Sequence, residues 1–363
     1  MALPTQHHYV SDLLTRPQQT SVGYNRLGTS GLKVSKIILG AMSYGRKDWQ
    51  KWVLEEHEAL PLLEYAYKVG INTWDTADLY SNGISEEIIG KALSTYKIPR
   101  ESVVIMTKCR FATSMPGEPQ LSVFASTVND GRMVNRAGLS RKHILDAVQA
   151  SVKRLGTYID VIQIQRMDPD VPREEIMKAL NDVVDMGLAR YIGASSMPAW
   201  EFQALQNVAL KHGWHRFASM QNYYNLLYRE DEREMMPYCR DAGIGCIPWS
   251  PLARGILARP WDGLDADSSL RSRHDKAITR LYDRENPTDK AIVDMVEEVA
   301  KARKLPMAVI ATAWCLHKGV NPIVGLNSRQ RIDEAVMAAN LVLTDAEIAR
   351  LDAAYQAKTV IGY

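Results

Sequence analysis

Short runs rich in Ile and Val recur along the chain, each followed by a helical pattern, and this alternation narrows the folds open to it. The runs are SKIILGAM (35–42), INTWD (71–75), SVVIMTK (102–108), IDVIQIQ (159–165), RYIGAS (190–195), FASMQ (217–221), IGCIPWS (244–250) and PIVG (322–325), eight in all. Near-continuous apolar strands separated by helices describe a parallel sheet covered on both faces. Eight strand–helix units in 363 residues favour closure into a (β/α)8 TIM barrel over an open doubly wound sheet. No Gly-x-Gly-x-x-Gly follows the first run, which counts against a Rossmann-type half.

The helices carry readable ends. Ser140 is placed to cap a helix whose apolar stripe is Ile144, Leu145, Val148, Val152 and Leu155, and Gly156 stops it. Pro172 starts another, with Ile176, Leu180 and Val183 on its stripe and Gly187 at its end. Thr344 to Glu347 match a capping box before a C-terminal helix. Gly28 and Gly31 bracket Thr29-Ser30 and predict a β-hairpin ahead of the barrel. Residues 1–23 are polar and unpatterned, so a flexible arm is expected there. A single barrel with extra C-terminal helices is expected over 24–363.

Composition excludes several classes. With 46% hydrophobic and 24% charged residues, the chain has ample material for a core. A net charge of +2 gives no reason to expect a nucleic-acid or anionic-membrane partner. The four cysteines, Cys109, Cys239, Cys246 and Cys315, form no Cys-x-x-Cys pair and no disulfide framework. No basic-then-apolar leader opens the sequence, and no run reaches the roughly 18 apolar residues of a membrane span. A cytoplasmic protein acting on a small molecule is expected. No histidine stands at a strand end, and no His-x-x-x-His or acidic cluster does either, so no metal is expected.

In a barrel of this type the site is built at the carboxyl ends of the strands. The second strand ends in Asp75, with Tyr80 five residues on. The third ends in Lys108, the fourth in Gln165, the fifth in Ser195, the sixth in Gln221 and the seventh in Trp249. Each has a bland reading: Asp75 and Lys108 as a structural ion pair, Tyr80 as a packing tyrosine, Trp249 as core. Together they make chemical sense. An unperturbed tyrosine has a pKa near 10, so as a general acid it needs an adjacent cation. Lys108 can supply it, with Asp75 holding the ammonium. Such a tyrosine can protonate a carbonyl oxygen while hydride reaches the carbon. Trp249 offers a flat face for a nicotinamide, and Ser195 and Gln221 can hold its carboxamide.

From about residue 24 to 357 the chain resembles the aldo-keto reductases, within them the fungal aryl-alcohol dehydrogenase-like branch. The stretches that carry the resemblance are INTWDTADLYSNGISEEIIGKAL, VIMTKCR, YIDVIQIQR, YIGASSM, QNYYNLLYR, WSPLARGIL and VGLNSRQRIDEA. The resemblance implies a (β/α)8 barrel that binds NADP(H), with Asp75, Tyr80 and Lys108 as catalytic residues. It implies nicotinamide contacts from Ser195, Ser196, Gln221 and Trp249. Ser250, Pro251, Leu252, Arg254, Gly255 and Arg259 match the pyrophosphate loop. Gly325, Asn327, Arg331 and Glu334 match the adenine end, and Gly40, Met42 and Asp75 complete the cofactor contacts. The segment SLRSR makes Arg271 the candidate for a 2′-phosphate, with Arg273 as the fallback. Ser196 stands where the family usually has Asn. Arginine forks suit a phosphomonoester, which favours NADPH over NADH.

At one position the chain departs from the family. The family's fourth catalytic residue is a histidine at the end of strand four; here it is Gln165. A carboxamide can donate a hydrogen bond, but unlike imidazole it does not titrate near neutral pH. Three readings stay open. Gln165 orients the carbonyl while Tyr80 and Lys108 move the proton. Alternatively the altered site reduces carbon–carbon, quinone-like or imine bonds. In the third, catalysis has been lost and a cofactor-binding pseudoenzyme or inactive variant remains.

The substrate side is expected to be aromatic. Tyr44, Trp49, Phe111, Arg166, Met167 and Tyr224 are the candidates, with Trp52, Met115, Phe124 and Tyr223 nearby in the same loops. The long loop 109–139 after the third strand is of a length usually tied to function. This supply of aromatic and Met side chains suits a large flat carbonyl compound better than a sugar.

Overall fold

The computed structural model describes residues 22–114, 131, 133–263, 270–275, 281–282 and 285–362. Met115 and Phe124 lie outside these residues, as does the arm up to residue 21. Val22 is already buried in the main core, so the ordered fold begins before residue 24.

Among the described residues ten strands form two sheets. Strands β1 (Tyr24–Arg26) and β2 (Lys33–Ser35) make the antiparallel hairpin, Tyr24 opposite Ser35. The other eight are β3 (Ile38–Gly40), β4 (Thr73–Asp75), β5 (Val104–Cys109), β6 (Ile159–Ile164), β7 (Ala189–Ser195), β8 (Phe217–Gln221), β9 (Gly245–Cys246) and β10 (Ile323–Gly325). They pair in parallel in the order β10-β3-β4-β5-β6-β7-β8-β9. Two backbone bonds join the free edges: Asn321 N donates to the Cys246 carbonyl at 3.0 Å, and Ile323 N to the Pro248 carbonyl at 2.9 Å. The sheet thereby closes into a (β/α)8 barrel.

The seventh barrel strand is shorter than the run 244–250 suggests. Pro248 has no N–H to give to a ladder. Beyond it the pairing resumes as a single bond from Trp249 N to the Asn222 carbonyl.

The helix ends follow the sequence signals. Ser140 accepts from His143 N and caps helix 141–155, which ends at Gly156 with φ +68°. Thr344 and Glu347 form the reciprocal box at the start of helix 345–353. Helix 307–317 is buried over most of its surface, because helices 287–303 and 345–353 cover it from outside. These extra helices make a second hydrophobic core around Trp314, Ile292 and Val296.

The hairpin closes the amino-terminal end of the barrel. Leu27 and Val34 pack with Ile38, Val104, Val161 and Ile247. Thr29 N donates to the Gly243 carbonyl at 2.8 Å. Gly28, at φ +58°, lies so close to this segment that a Cβ would sit 2.2 Å from the Gly243 oxygen. With the floor filled, the accessible space lies at the carboxyl rim.

Candidate active site

Among the described residues, a cavity of about 1670 Å3 opens at that rim. It begins over Asp75 and Tyr80 and extends between β10 and the loop after β9.

Asp75 closes β4 and is almost wholly buried. Its Oδ2 accepts from Lys108 Nζ at 2.5 Å, and its Oδ1 accepts from Gln163 Nε2 at 2.9 Å and Gln221 Nε2 at 3.0 Å. Gln221 also donates to Gln163 Oε1 at 3.0 Å. Strand geometry brings these groups together. Lys108 on β5 stands level with Gln163 on β6, and inward positions on neighbouring strands form layers. A buried ion pair is tolerable when its remaining hydrogen-bonding capacity is filled, as it is here. Lys108 also donates to the Thr76 carbonyl at 2.7 Å.

Tyr80 stands half-buried at the start of a tight turn, Tyr80–Gly83. The turn is tied to β5 by Asp78 N, which donates to the Lys108 carbonyl at 3.1 Å. That bond sets Tyr80 beside Lys108, whose ammonium lies 5.1 Å from the centroid of the tyrosine ring. Burial alone would lower the Lys108 pKa, but the Asp75 carboxylate and the Tyr80 hydroxyl outweigh it and hold it above its ordinary value. The lysine therefore stays an ammonium. Gly45 lets the first loop approach the turn, since a Cβ there would meet Ser81 Oγ at 2.0 Å.

Gln165 follows β6 and lines the cavity, its N–H bound to the Cys109 carbonyl at 3.1 Å. Its buried Oε1 has no partner among the described residues. Arg166, also on the cavity wall, donates to the Gln165 carbonyl at 2.6 Å and to Ser195 Oγ at 3.2 Å. Burial lowers its pKa to about 10.

The next part of the wall is aromatic. Tyr223 stacks on Trp249 at 4.4 Å and 21°. Trp249 Nε1 donates to Ser196 Oγ at 2.9 Å, and Ser195 Oγ donates to the Gln221 carbonyl at 2.8 Å. Ser196 sits at φ +37°, a backbone region that non-glycine residues enter at a cost. Gln221 spends both amide hydrogens on Asp75 and Gln163, so its nitrogen is not available to a ligand.

Farther along, Ser250, Ala253, Arg254 and Gly255 all have positive φ. Successive residues of this kind can turn their N–H groups to one side and form an anion-binding nest. Arg254 and Arg271 share Asp275: Arg271 Nε bonds its Oδ2 at 2.9 Å, and Arg254 bonds the same oxygen. Arg254 Nε is buried without a partner among the described residues. Arg271 lies over Trp52 at 4.4 Å. Burial, then the neighbouring Arg254, pulls the Arg271 pKa below its ordinary value, and burial and Arg331 do the same to Arg259. Gly325, Asn327, Arg331 and Glu334 complete this end, with Arg331 bound to Asn327 at 2.6 Å.

Of the residues singled out from sequence, Gly40, Met42, Asp75, Tyr80, Gln165, Ser195, Ser196, Gln221, Trp249, Ser250, Pro251, Leu252, Arg254, Gly255, Arg259, Arg271, Gly325, Asn327, Arg331 and Glu334 line one cavity. Trp49, Phe111, Arg166 and Met167 line it too. Lys108 lies behind the wall, bonded to Asp75. Arg273 is exposed and off the cavity wall.

Two placements need correcting. Tyr44 is fully buried in the core with its hydroxyl on the Leu326 carbonyl. Tyr224 is fully buried against Trp314, 5.2 Å away, and bonded to Glu232. Both hydroxyls found partners inside the protein, which is what lets a tyrosine bury completely. Three polar residues of the site were not anticipated as site residues: Gln163 at the barrel centre, and Arg110 and Asp275 on the cavity wall. Gln163 and Arg110 could have been found by strand alternation, since each lies two positions from a rim residue, Gln165 and Lys108. Asp275 had no sequence signal.

Among the described residues no cluster of metal-ligating side chains occurs, and no helix is long and apolar enough to cross a membrane.

Comparison with known proteins agrees with this architecture. Residues 36–356 match the Aldo/keto reductase family. Versiconal hemiacetal acetate reductase of Aspergillus parasiticus is 58% identical over 339 residues, covering 93% of this chain and 98% of that protein. An aldo-keto reductase of Alternaria alternata is 47% identical over 349 residues, covering 94% and 93%. One of Metarhizium robertsii is 46% identical over 353 residues, covering 95% and 94%. With a barrel closed around a buried Asp75–Lys108 pair and relatives of this closeness, the chain belongs to the aldo/keto reductase family and is an oxidoreductase.

Proposed function

We propose that this protein reduces a carbonyl group on a bulky aromatic or polyketide-like compound, using NADPH, with Tyr80 as the proton donor. The observation that carries the reading is the Lys108 ammonium, fixed by Asp75 and set beside Tyr80 at the cavity wall.

A nicotinamide fits the residues present. Trp249 offers a flat indole backed by Tyr223, and the positive-φ loop and arginines suit phosphates. The orphaned Arg254 Nε is a donor in want of an acceptor. Bound there, a reduced nicotinamide supplies hydride. Arg271, with Arg331 nearby, suits the 2′-phosphate that distinguishes NADPH.

The chain's own residues do the remainder. Tyr80 donates its proton to the oxygen of the carbonyl, and Lys108 stabilises the phenolate left behind. Asp75 keeps Lys108 in place. Gln165, in the histidine's position, donates an amide N–H and orients the carbonyl, but it relays no proton. Trp49, 6.3 Å from Tyr80 between ring centroids, joins Trp52 and Phe111 in an apolar cluster that suits an aromatic substrate. The relative named versiconal hemiacetal acetate reductase supports reduction at a carbonyl-level carbon.

The test is NADPH consumption with aryl aldehydes and ketones. Tyr80→Phe is expected to remove activity by a factor of about 10²–10⁴. Equal inertness of the wild type and Tyr80→Phe over a broad carbonyl panel would discard this reading.

A further inference from the structure

Two guanidinium groups stand on the wall of the cavity, and among the described residues no carboxylate is paired to either. Arg166 donates to neutral acceptors, the Gln165 carbonyl and Ser195 Oγ, and lies over Trp249 at 5.7 Å. Arg110, two residues past Lys108, donates to the Met167 carbonyl at 3.1 Å and lies over Phe111 at 4.9 Å. Among the described residues neither forms a salt bridge, although both line the cavity. They are also close enough for Arg110 to disfavour the charge on Arg166. Asp168 and Asp170 act on Arg110 from a distance, and Asp168 already accepts the N–H groups of Leu139 and Asp170.

Two like charges held together out of bulk water are costly unless an anion joins them. Among the described residues no carboxylate bonds either guanidinium, and Asp168 and Asp170 offset Arg110 only from a distance. The Asp75 carboxylate is committed to Lys108, and Gln165 beside Arg166 is neutral at every pH. Arg166 also lies within electrostatic reach of Tyr80, the proposed proton donor.

We infer that the substrate carries an anionic oxygen group, a carboxylate or an ionised phenol or enol, seated on Arg110 and Arg166 a few bonds from the carbonyl presented to Tyr80. This rests on the carbonyl-reductase reading and narrows it. The chemistry matches, because planar guanidinium forks pair with carboxylate oxygens two at a time. The step itself is unchanged: hydride adds to carbonyl carbon, Tyr80 gives the proton to oxygen, and the anion only anchors the molecule.

The test uses a matched pair, 2-formylbenzoate and its methyl ester, which differ in one charge. The readouts are the acid-to-ester ratio of kcat/KM, and the ratio of dissociation constants by calorimetry on protein saturated with NADP+. Wild type is expected to favour the acid, and raised ionic strength to erode that preference. Arg166→Met and Arg110→Met should each lower the acid-to-ester ratio by about 10–100-fold, the range expected for a hydrogen-bonded charge. Arg166→Lys should fall between.

A wild-type preference for the ester overturns the inference. So does an unchanged ratio in both Met variants, or an equal slowing of acid and ester, which would assign Arg166 to Tyr80 instead. If cofactor phosphates occupied these arginines, saturating NADP+ would erase the binding difference and the inference would fall. Failure of the carbonyl-reductase reading has a separate signature: neither compound turns over, while the binding ratio still decides whether an anion sits here.

Discussion

At the barrel centre Asp75 receives Lys108, Gln163 and Gln221, so both carboxylate oxygens are engaged. Along the loop after β9, Arg254 and Arg271 share the buried carboxylate of Asp275, and Arg331 disfavours the charge on Arg259. The first region is finished in the free protein. The second gathers a surplus of cations among its described residues, which suits an anionic ligand. Catalytic groups gain from arriving pre-positioned, whereas a binding end gains from leaving charge for its ligand to neutralise.

The largest expected effect comes from opening the finished region. Lys108→Met leaves the Asp75 carboxylate buried without its cation and should cost about 3–5 kcal/mol of stability, read by urea denaturation. A loss below about 1 kcal/mol would mean that the pair behaves like a solvent-exposed one. The surplus region should respond in affinity, not in folding. Arg271→Met is expected to weaken NADPH binding by about 10–100-fold and leave NADH nearly unaffected. Equal weakening of both cofactors would show that Arg271 does not read the 2′-phosphate. The smallest effect concerns the seam between chemistry and substrate. Gln165→His should change kcat/KM by no more than about 10²-fold and introduce a pH dependence between about 6 and 7. A flat pH profile in that variant would show that this position carries no proton in either form.

Much of the finished region was legible in the sequence. Strand ends mark the rim of a barrel, so Asp75, Lys108, Gln165, Ser195, Gln221 and Trp249 could be gathered before any coordinates. Alternation puts Gln163 on the same face as Gln165, but does not say that its partner is Asp75, 88 residues away. The surplus region was harder. The pairing of Arg254 with Asp275 depends on how two loops meet, which no local pattern records. Tyr44 and Tyr224 misled for a related reason. An aromatic residue after a strand can turn to the cavity or to the core, and the direction was decided by Leu326 and Glu232, far from the tyrosines or around a bend.

The hairpin that fills the barrel floor also bears on how this chain is made. Its tip rests on Gly243, more than two hundred residues later in synthesis, and β3 cannot find its outer neighbour until β10 has emerged. This early segment is therefore among the last to be locked. Such long-range pairing slows folding and leaves strand edges open meanwhile. A nascent chain of this protein must keep the exposed edge of β3 from pairing with the wrong strand for most of its time on the ribosome.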